Sequence, residues 1–114
     1  MRKSLTFLLL ALVQLGLSTL LLGNFPALAL QSDRPSAIFS NYCASCHLGG
    51  GNIVIEDKNL HSSALSKYHM DSIDAIACQV KHGKKAMPAF KGRLSDSQIE
   101  EVAAYVLKQA KKGW

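Results

Sequence analysis

A chain of 114 residues, with thirteen Lys or Arg against eight Asp or Glu, has room for one domain. Its positive excess is modest and gathers into no basic stripe, which excludes a nucleic-acid-binding module and suits steering toward an acidic protein surface. Three cysteines cannot all pair within one chain, so a disulfide framework does not account for them.

Arg2 and Lys3 give a positive start, Leu5 to Leu22 is almost wholly apolar, and Ala27-Leu28-Ala29 places small residues where a signal peptidase cuts. Residues 1–29 read as a secretory signal cleaved after Ala29. A retained anchor is the weaker reading, because Gln14, Ser18 and Thr19 dilute the apolar run. Residues 30–114 are then the domain, at a size where an apolar core alone is marginally stable. Something must supplement it.

From Ser32 onward apolar residues recur at helical spacing, with no period-two alternation, so the domain is all-α. A first helix should start near Pro35, run through Ile38, Phe39 and Tyr42 into Cys43, and end in the stretch Leu48 to Asn52. Residues 49–59 carry few helix signals and read as a loop. Leu60, Ala64, Leu65 and Tyr68 mark a short second helix. Asp71 can cap a third, with Ile73, Ile76, Ala77 and Val80 as its apolar stripe and Gly83 as the left-handed residue that stops it. Residues 84–92 form an irregular link. Ser95 with Gln98 makes a capping box for the last helix, whose apolar face runs from Ile99 through Val102, Ala103, Val106 and Leu107 to Ala110. Asp96, Glu100 and Glu101 sit near its positive end, and Lys108, Lys111 and Lys112 near its negative end.

Cys43-Ala44-Ser45-Cys46-His47 is C-x-x-C-H. Two sulfurs three residues apart on one helical turn face the same way and can bond two vinyl groups of one porphyrin, while His47 points at its iron. A zinc site wants more ligands than the one sulfur left, Cys78. A thioredoxin-like pair wants a preceding strand, and neither it nor a plain disulfide accounts for His47. The reading is one haem c, tethered through Cys43 and Cys46. A large apolar macrocycle also answers the stability problem, because short helices can pack around it.

The candidates for a second axial ligand are Met70 and Met87, then His61, His69 and His82. Met87 is preferred: Pro88 after it biases it away from helix and leaves its thioether on an extended segment. Met70, at a helix entrance, reads as packing, and the three histidines as surface residues. With His47 and Met87 both on iron no position stays open, so the protein is an electron carrier and not an enzyme. Two rivals are a haem enzyme or redox sensor with an easily displaced Met87, and a colourless haem-free binding module.

The domain resembles cytochrome c6, the soluble carrier of oxygenic photosynthesis, over nearly all of residues 36–114. The resemblance is carried by the C-x-x-C-H motif with its glycines, Gln79-Val80, Ala86-Met87-Pro88-Ala89-Phe90, Gly92-Arg93-Leu94-Ser95-Asp96, and the tail from Val102 to Lys112-Gly113-Trp114. It implies a class I cytochrome c fold of about four helices around one covalent haem. It also implies a monomer, not membrane-embedded after cleavage, in a thylakoid lumen or periplasm. Electrons would pass from the cytochrome b6f complex to photosystem I, in place of plastocyanin, with a terminal cytochrome c oxidase or a sensor role as alternatives. Met87 takes the family's sixth-ligand position, and Gln79 aligns with a glutamine beside the haem that holds its potential high. Arg93 aligns with a docking arginine, with Lys84 and Lys91 widening the patch. Among the departures, Pro35, His69 and Lys91 stand where glycine is usual, Glu56 where proline is common, and Cys78 where tyrosine is usual. Cys78 reads as a buried small hydrophobe in preference to a reactive thiol or a crosslink.

Overall fold

The structure, a computed structural model, describes residues 34–114. The expected signal segment and its cleavage point lie outside the described residues. Among the described residues no helix is long and apolar enough to cross a membrane, and the only β pairing is two isolated bridges.

Helix α1 spans Pro35–Tyr42. Proline is tolerated at its first position because that N–H has no partner inside a helix, and Arg34 O receives the N–H groups of Ala37 and Ile38 instead. Contrary to expectation, the first helix does not continue through the C-x-x-C-H motif: it breaks at Cys43, whose φ of −117° lies well off the helical value. A separate turn, α2 (Ala44–His47), follows. The loop expected over residues 49–59 contains two 3₁₀ turns, Leu48–Gly50 and Glu56–Lys58. Asn52 organises it: its Oδ1 accepts from Val54 N and Ile55 N, and its Nδ2 donates to Lys58 O. Short polar side chains stabilise turns in this way where helical periodicity is missing.

Helix α3 is Ser62–Lys67, shorter than expected. Leu60 stays outside it, because its carbonyl is taken by the Trp114 indole N–H at 2.8 Å. Helix α4 is Ile73–His82, and its cap is Ser72 rather than Asp71. Ser72 has the extended backbone of a cap (φ −130°, ψ 154°), and its Oγ accepts from Ala75 N. Gly83 ends the helix at φ 69°, ψ 173°, a positive φ as expected, but with an extended ψ that turns the chain away instead of curling it back. Helix α5, Asp96–Lys112, starts on the expected capping box of Ser95 and Gln98 and ends on left-handed Gly113.

The core lies where α5 crosses α1 and α4. Ile38 and Phe39 of α1 and Ile76 and Val80 of α4 pack with Ile99, Val102, Ala103 and Val106 of α5. Ile76 and Val80 are four residues apart on one face of α4, and Cys78, two residues from each, is turned about 200° away from them. The expected burial of Cys78 is therefore wrong: it is exposed.

The C-terminus is fastened to the loop after the motif. Trp114 lies 5.1 Å from the Phe39 ring and 6.4 Å from Tyr105, centroid to centroid. Gly50 sits so close under the indole that a Cβ there would fall 2.4 Å from Trp114 Cγ. Ser62 Oγ also donates to Ala110 O, tying α3 to the end of α5. The segment holding the motif is thus anchored at both α1 and α5.

Candidate haem site

The N–H groups of Cys46 and His47 both donate to Cys43 O, at 3.1 and 2.9 Å, so the two cysteines lie one turn apart on the same side of the chain. Cys43 is half-buried and Cys46 exposed, and no disulfide joins either. Burial pushes the Cys43 thiol up to about 11. A thiol–disulfide redox pair needs the opposite shift, whereas a sulfur that serves as a covalent tether needs no thiolate once bonded. Among the described residues no group of three or more His, Cys, Asp or Glu side chains converges as a metal site, so the zinc alternative lacks its ligand set.

His47 Nδ1 lies 2.8 Å from Gly51 O. A carbonyl can only accept, so Nδ1 carries the proton and Nε2 keeps its lone pair for a metal. This orienting bond is typical of metal-ligating histidines. The loop is held in place for it: Ile53 N donates to Cys46 O, and Leu60 N to Gly50 O. Leu48, Ile53 and Val54, all strongly exposed, put apolar side chains next to the motif, which suits a large apolar prosthetic group.

Met87 sits at the end of a tight turn. Lys84 N donates to Met87 O and Met87 N to Lys84 O, each at 3.0 Å, with Lys85 at a positive φ of 54°. The expected irregular link is thus built from two defined turns, this one and a second at Phe90 to Leu94. The Met87 sulfur accepts from Gln79 Nε2 at 3.5 Å, which brings two of the candidate residues together. Gly83 makes this possible. A Cβ there would lie 2.6 Å from Met87 O, 2.7 Å from Ala89 N and 2.8 Å from Pro88 C, so the methionine segment folds directly over a residue without a side chain. Met70 packs partly buried against the core, as expected, and His61, His69 and His82 are exposed.

Of the expected docking residues, Arg93 and Lys91 share the second turn, closed by Arg93 N donating to Phe90 O at 2.9 Å, and Lys84 begins the first. All three are exposed. Lys91 is partly engaged, since its charge adds to that of Lys81 in holding the Asp96 carboxyl below its usual range.

Three contributions go beyond the sequence reading. The Gly51 carbonyl sets the His47 tautomer, and only the proximity of a glycine-rich run to the histidine hints at it. Gly83 reads in sequence as a helix stop, with no sign of the segment that crosses it. Tyr42 reads in sequence only as a position of the first helix, and it is 40% exposed, facing Phe90 and Arg93.

An all-α fold with C-x-x-C-H on the turn after its first helix, and a methionine presented beside a glutamine after its third main helix, defines a class I c-type cytochrome. Comparison with known proteins narrows the class. The sequence family described as cytochrome c oxidase, cbb3-type, subunit III matches residues 31–106. Cytochrome c6 of a Synechococcus strain is 51% identical over 116 aligned residues, covering 100% of this chain and 98% of that protein. That of Thermosynechococcus vestitus is 57% identical over 88 residues, 77% of this chain and 79% of that protein. The structure of cytochrome c6 from the diatom Phaeodactylum tricornutum superposes with a TM-score of 0.69 at 47% identity, covering 71% of this chain and 95% of that one. The chain belongs to the cytochrome c6 family, carries one haem c, and is an electron carrier.

Proposed function

We propose that this chain carries electrons from the cytochrome b6f complex to photosystem I in a thylakoid lumen, after removal of residues 1–29, with a terminal cytochrome c oxidase as a second acceptor. In this reading Cys43 and Cys46 would hold the haem by thioether bonds, His47 Nε2 and Met87 Sδ would be the ligands to its iron, and Gln79 steadies the methionine. The bound haem supplies a one-electron Fe(III)/Fe(II) couple.

The protein's own residues do the rest. The Gly51 carbonyl holds the His47 proton on Nδ1, so the imidazole offers Nε2 in one orientation. The Gln79 amide donates to the Met87 sulfur, which fixes the thioether's rotamer and leaves its other lone pair directed elsewhere. Gly83 and the Lys84–Met87 turn hold the methionine backbone against α4. A ligand set held this firmly in place reorganises little when one electron is gained or lost, the condition for rapid transfer. Exposed Arg93, Lys84 and Lys91 supply positive charge for an acidic docking surface.

The observation that carries the proposal is the pair of orienting bonds, His47 to Gly51 and Gln79 to Met87, on the two candidate axial ligands. The test uses the purified holoprotein. Its haem should stay with the chain in acidified organic solvent, and it should reduce flash-oxidised photosystem I particles in a second-order reaction slowed by salt. Met87→Ala should open the reduced protein to carbon monoxide at neutral pH. Ready uptake of carbon monoxide by the unaltered protein would overturn the carrier assignment in favour of a sensor.

A further inference from the structure

The turn that carries Arg93 is built to hold it against two aromatic rings. Gly92 takes a φ of 84° within it, and Arg93 N and Leu94 N both donate to Phe90 O, which brings the Arg93 side chain back over its own turn. The guanidinium carbon lies 5.2 Å from the centroid of Phe90 and 5.8 Å from that of Tyr42. The two rings meet edge to face, 6.2 Å apart at 80°. Phe90 is buried, so it supplies a fixed floor, while Tyr42 stands on the last residue of α1, immediately before Cys43. Aromatic rings attract a guanidinium through their negative faces. Arginine, tyrosine and phenylalanine are also the residues that interface centres favour.

We infer that Tyr42 is a positioning residue for docking: its ring and that of Phe90 hold the Arg93 guanidinium at one place beside the haem-bearing turn, so that a carboxylate on the acceptor meets a preorganised cation. A free arginine gives up side-chain freedom on forming an interface ion pair; one already stacked on two rings has given up part of it. A lysine at this place would keep the charge and lose the planar stack. The inference rests on the docking role proposed above for Arg93.

A double-mutant cycle on the holoprotein tests it, with the second-order rate of reduction of flash-oxidised photosystem I particles at low ionic strength as the readout. Tyr42→Ala should slow this reaction about two- to fivefold, with the midpoint potential and thermal midpoint nearly unmoved because the ring is on the surface. Tyr42→Phe should keep the rate. Arg93→Lys should slow it about as much as Tyr42→Ala, and adding Tyr42→Ala to Arg93→Gln should cost nothing more. Independent, multiplying effects of Tyr42→Ala and Arg93→Gln would overturn the inference. Nitrogen relaxation of the Arg93 side chain in the free protein separates the stack from the docking role, since it involves no partner. Loss of order on Tyr42→Ala, with rates indifferent to Arg93→Gln, refutes the docking role while sustaining the stack. Unchanged order refutes the stack itself.

Discussion

Gly83→Ala separates a glycine that merely ends a helix from one that seats the candidate sixth ligand. At φ 69°, ψ 173° the backbone is in a region essentially reserved for glycine, so an alanine there carries about 1–3 kcal/mol of strain. The new Cβ also meets Met87 O, Ala89 N and Pro88 C between 2.6 and 2.8 Å. All three are backbone atoms that no rotamer change can move aside, and overpacking of this kind costs a further ~1–3 kcal/mol. The total of about 2–6 kcal/mol is large against the stability of a small domain, and the least costly relief is for the methionine segment to lift off α4. Gly49→Ala is the control. Gly49 has a φ of 59°, and a Cβ added to it would meet nothing within 4 Å, so the substitution bears left-handed strain alone, about 1–2 kcal/mol. Guanidinium unfolding of the two ferric holoproteins gives the stability difference. The thioether-to-iron charge-transfer band in the far red, with carbon monoxide uptake by the reduced form, reports on Met87. Gly83→Ala should lose more stability than Gly49→Ala and also weaken the band. Equal losses with an intact band would refute this role for Gly83.

Trp114→Ala removes a ring packed on Phe39 and Gly50 together with its hydrogen bond to Leu60 O; for a partly buried tryptophan the expected loss is about 2–3 kcal/mol, read by thermal unfolding, and a loss below ~1 kcal/mol would show that the C-terminal clamp is decorative. His69 has a φ of 55°, so His69→Gly should raise stability by up to about 1 kcal/mol in the same measurement, and a loss of stability would contradict strain at this position. The Asp96 carboxyl is held below its usual range chiefly by a hydrogen bond and charge from Lys81, and that of Asp57 chiefly by the Tyr68 hydroxyl. A carboxyl depressed in the folded state stabilises above its unfolded pKa, about 4, and that contribution fades as pH falls through the lower folded value. Thermal midpoints followed from neutral pH downward should therefore converge for the unaltered protein and Asp96→Asn only in this acidic window; a constant gap would contradict the assignment. The gap itself should be small, because the Asp96 carboxylate is exposed to solvent.

What could be read from the chain follows from which interactions are local. The capping box of Ser95 and Gln98, the apolar stripe of α5 and the C-x-x-C-H turn each involve residues within one or two turns, so pattern and chemistry coincide. Misplacements begin where the deciding partner is distant. Leu60 has a helical spacing to Ala64, yet it is excluded from α3 because the indole of Trp114, fifty-four residues on, claims its carbonyl. Asp71 and Ser72 are equally good caps by type, and only the backbone at Ser72 settles which one is used. For Cys78 the general tendency of free cysteine to be buried points inward, and the angular position between Ile76 and Val80 outweighs it. The axial candidates stand out in sequence because histidine after C-x-x-C and methionine before proline are chemically distinctive. Their supports do not, because a backbone carbonyl at Gly51 and a bare backbone at Gly83 leave no mark in residue type beyond glycine.

The same distinction explains how so small a domain can hold its two candidate iron ligands firmly. The His47 side is fixed by local means: a one-turn helix, a carbonyl four residues away, and a loop fastened by Asn52. The Met87 side has only the Lys84–Met87 turn as a local frame, since Pro88 prevents a helix and Lys85 holds an unfavourable φ. Its position depends on α4 through Gly83, Gln79 and Phe90, whose N–H donates to Val80 O at 3.0 Å. Helix α4 in turn is held by the buried face of α5. Damage to the core should therefore reach the methionine before the histidine, and Val80→Ala, on the α4 face that packs in the core, should weaken the thioether band at denaturant concentrations where the main haem absorption is still intact. Simultaneous loss of both signals would show that the two ligands share one cooperative unit, and the division between a local frame for His47 and a borrowed one for Met87 would then be wrong.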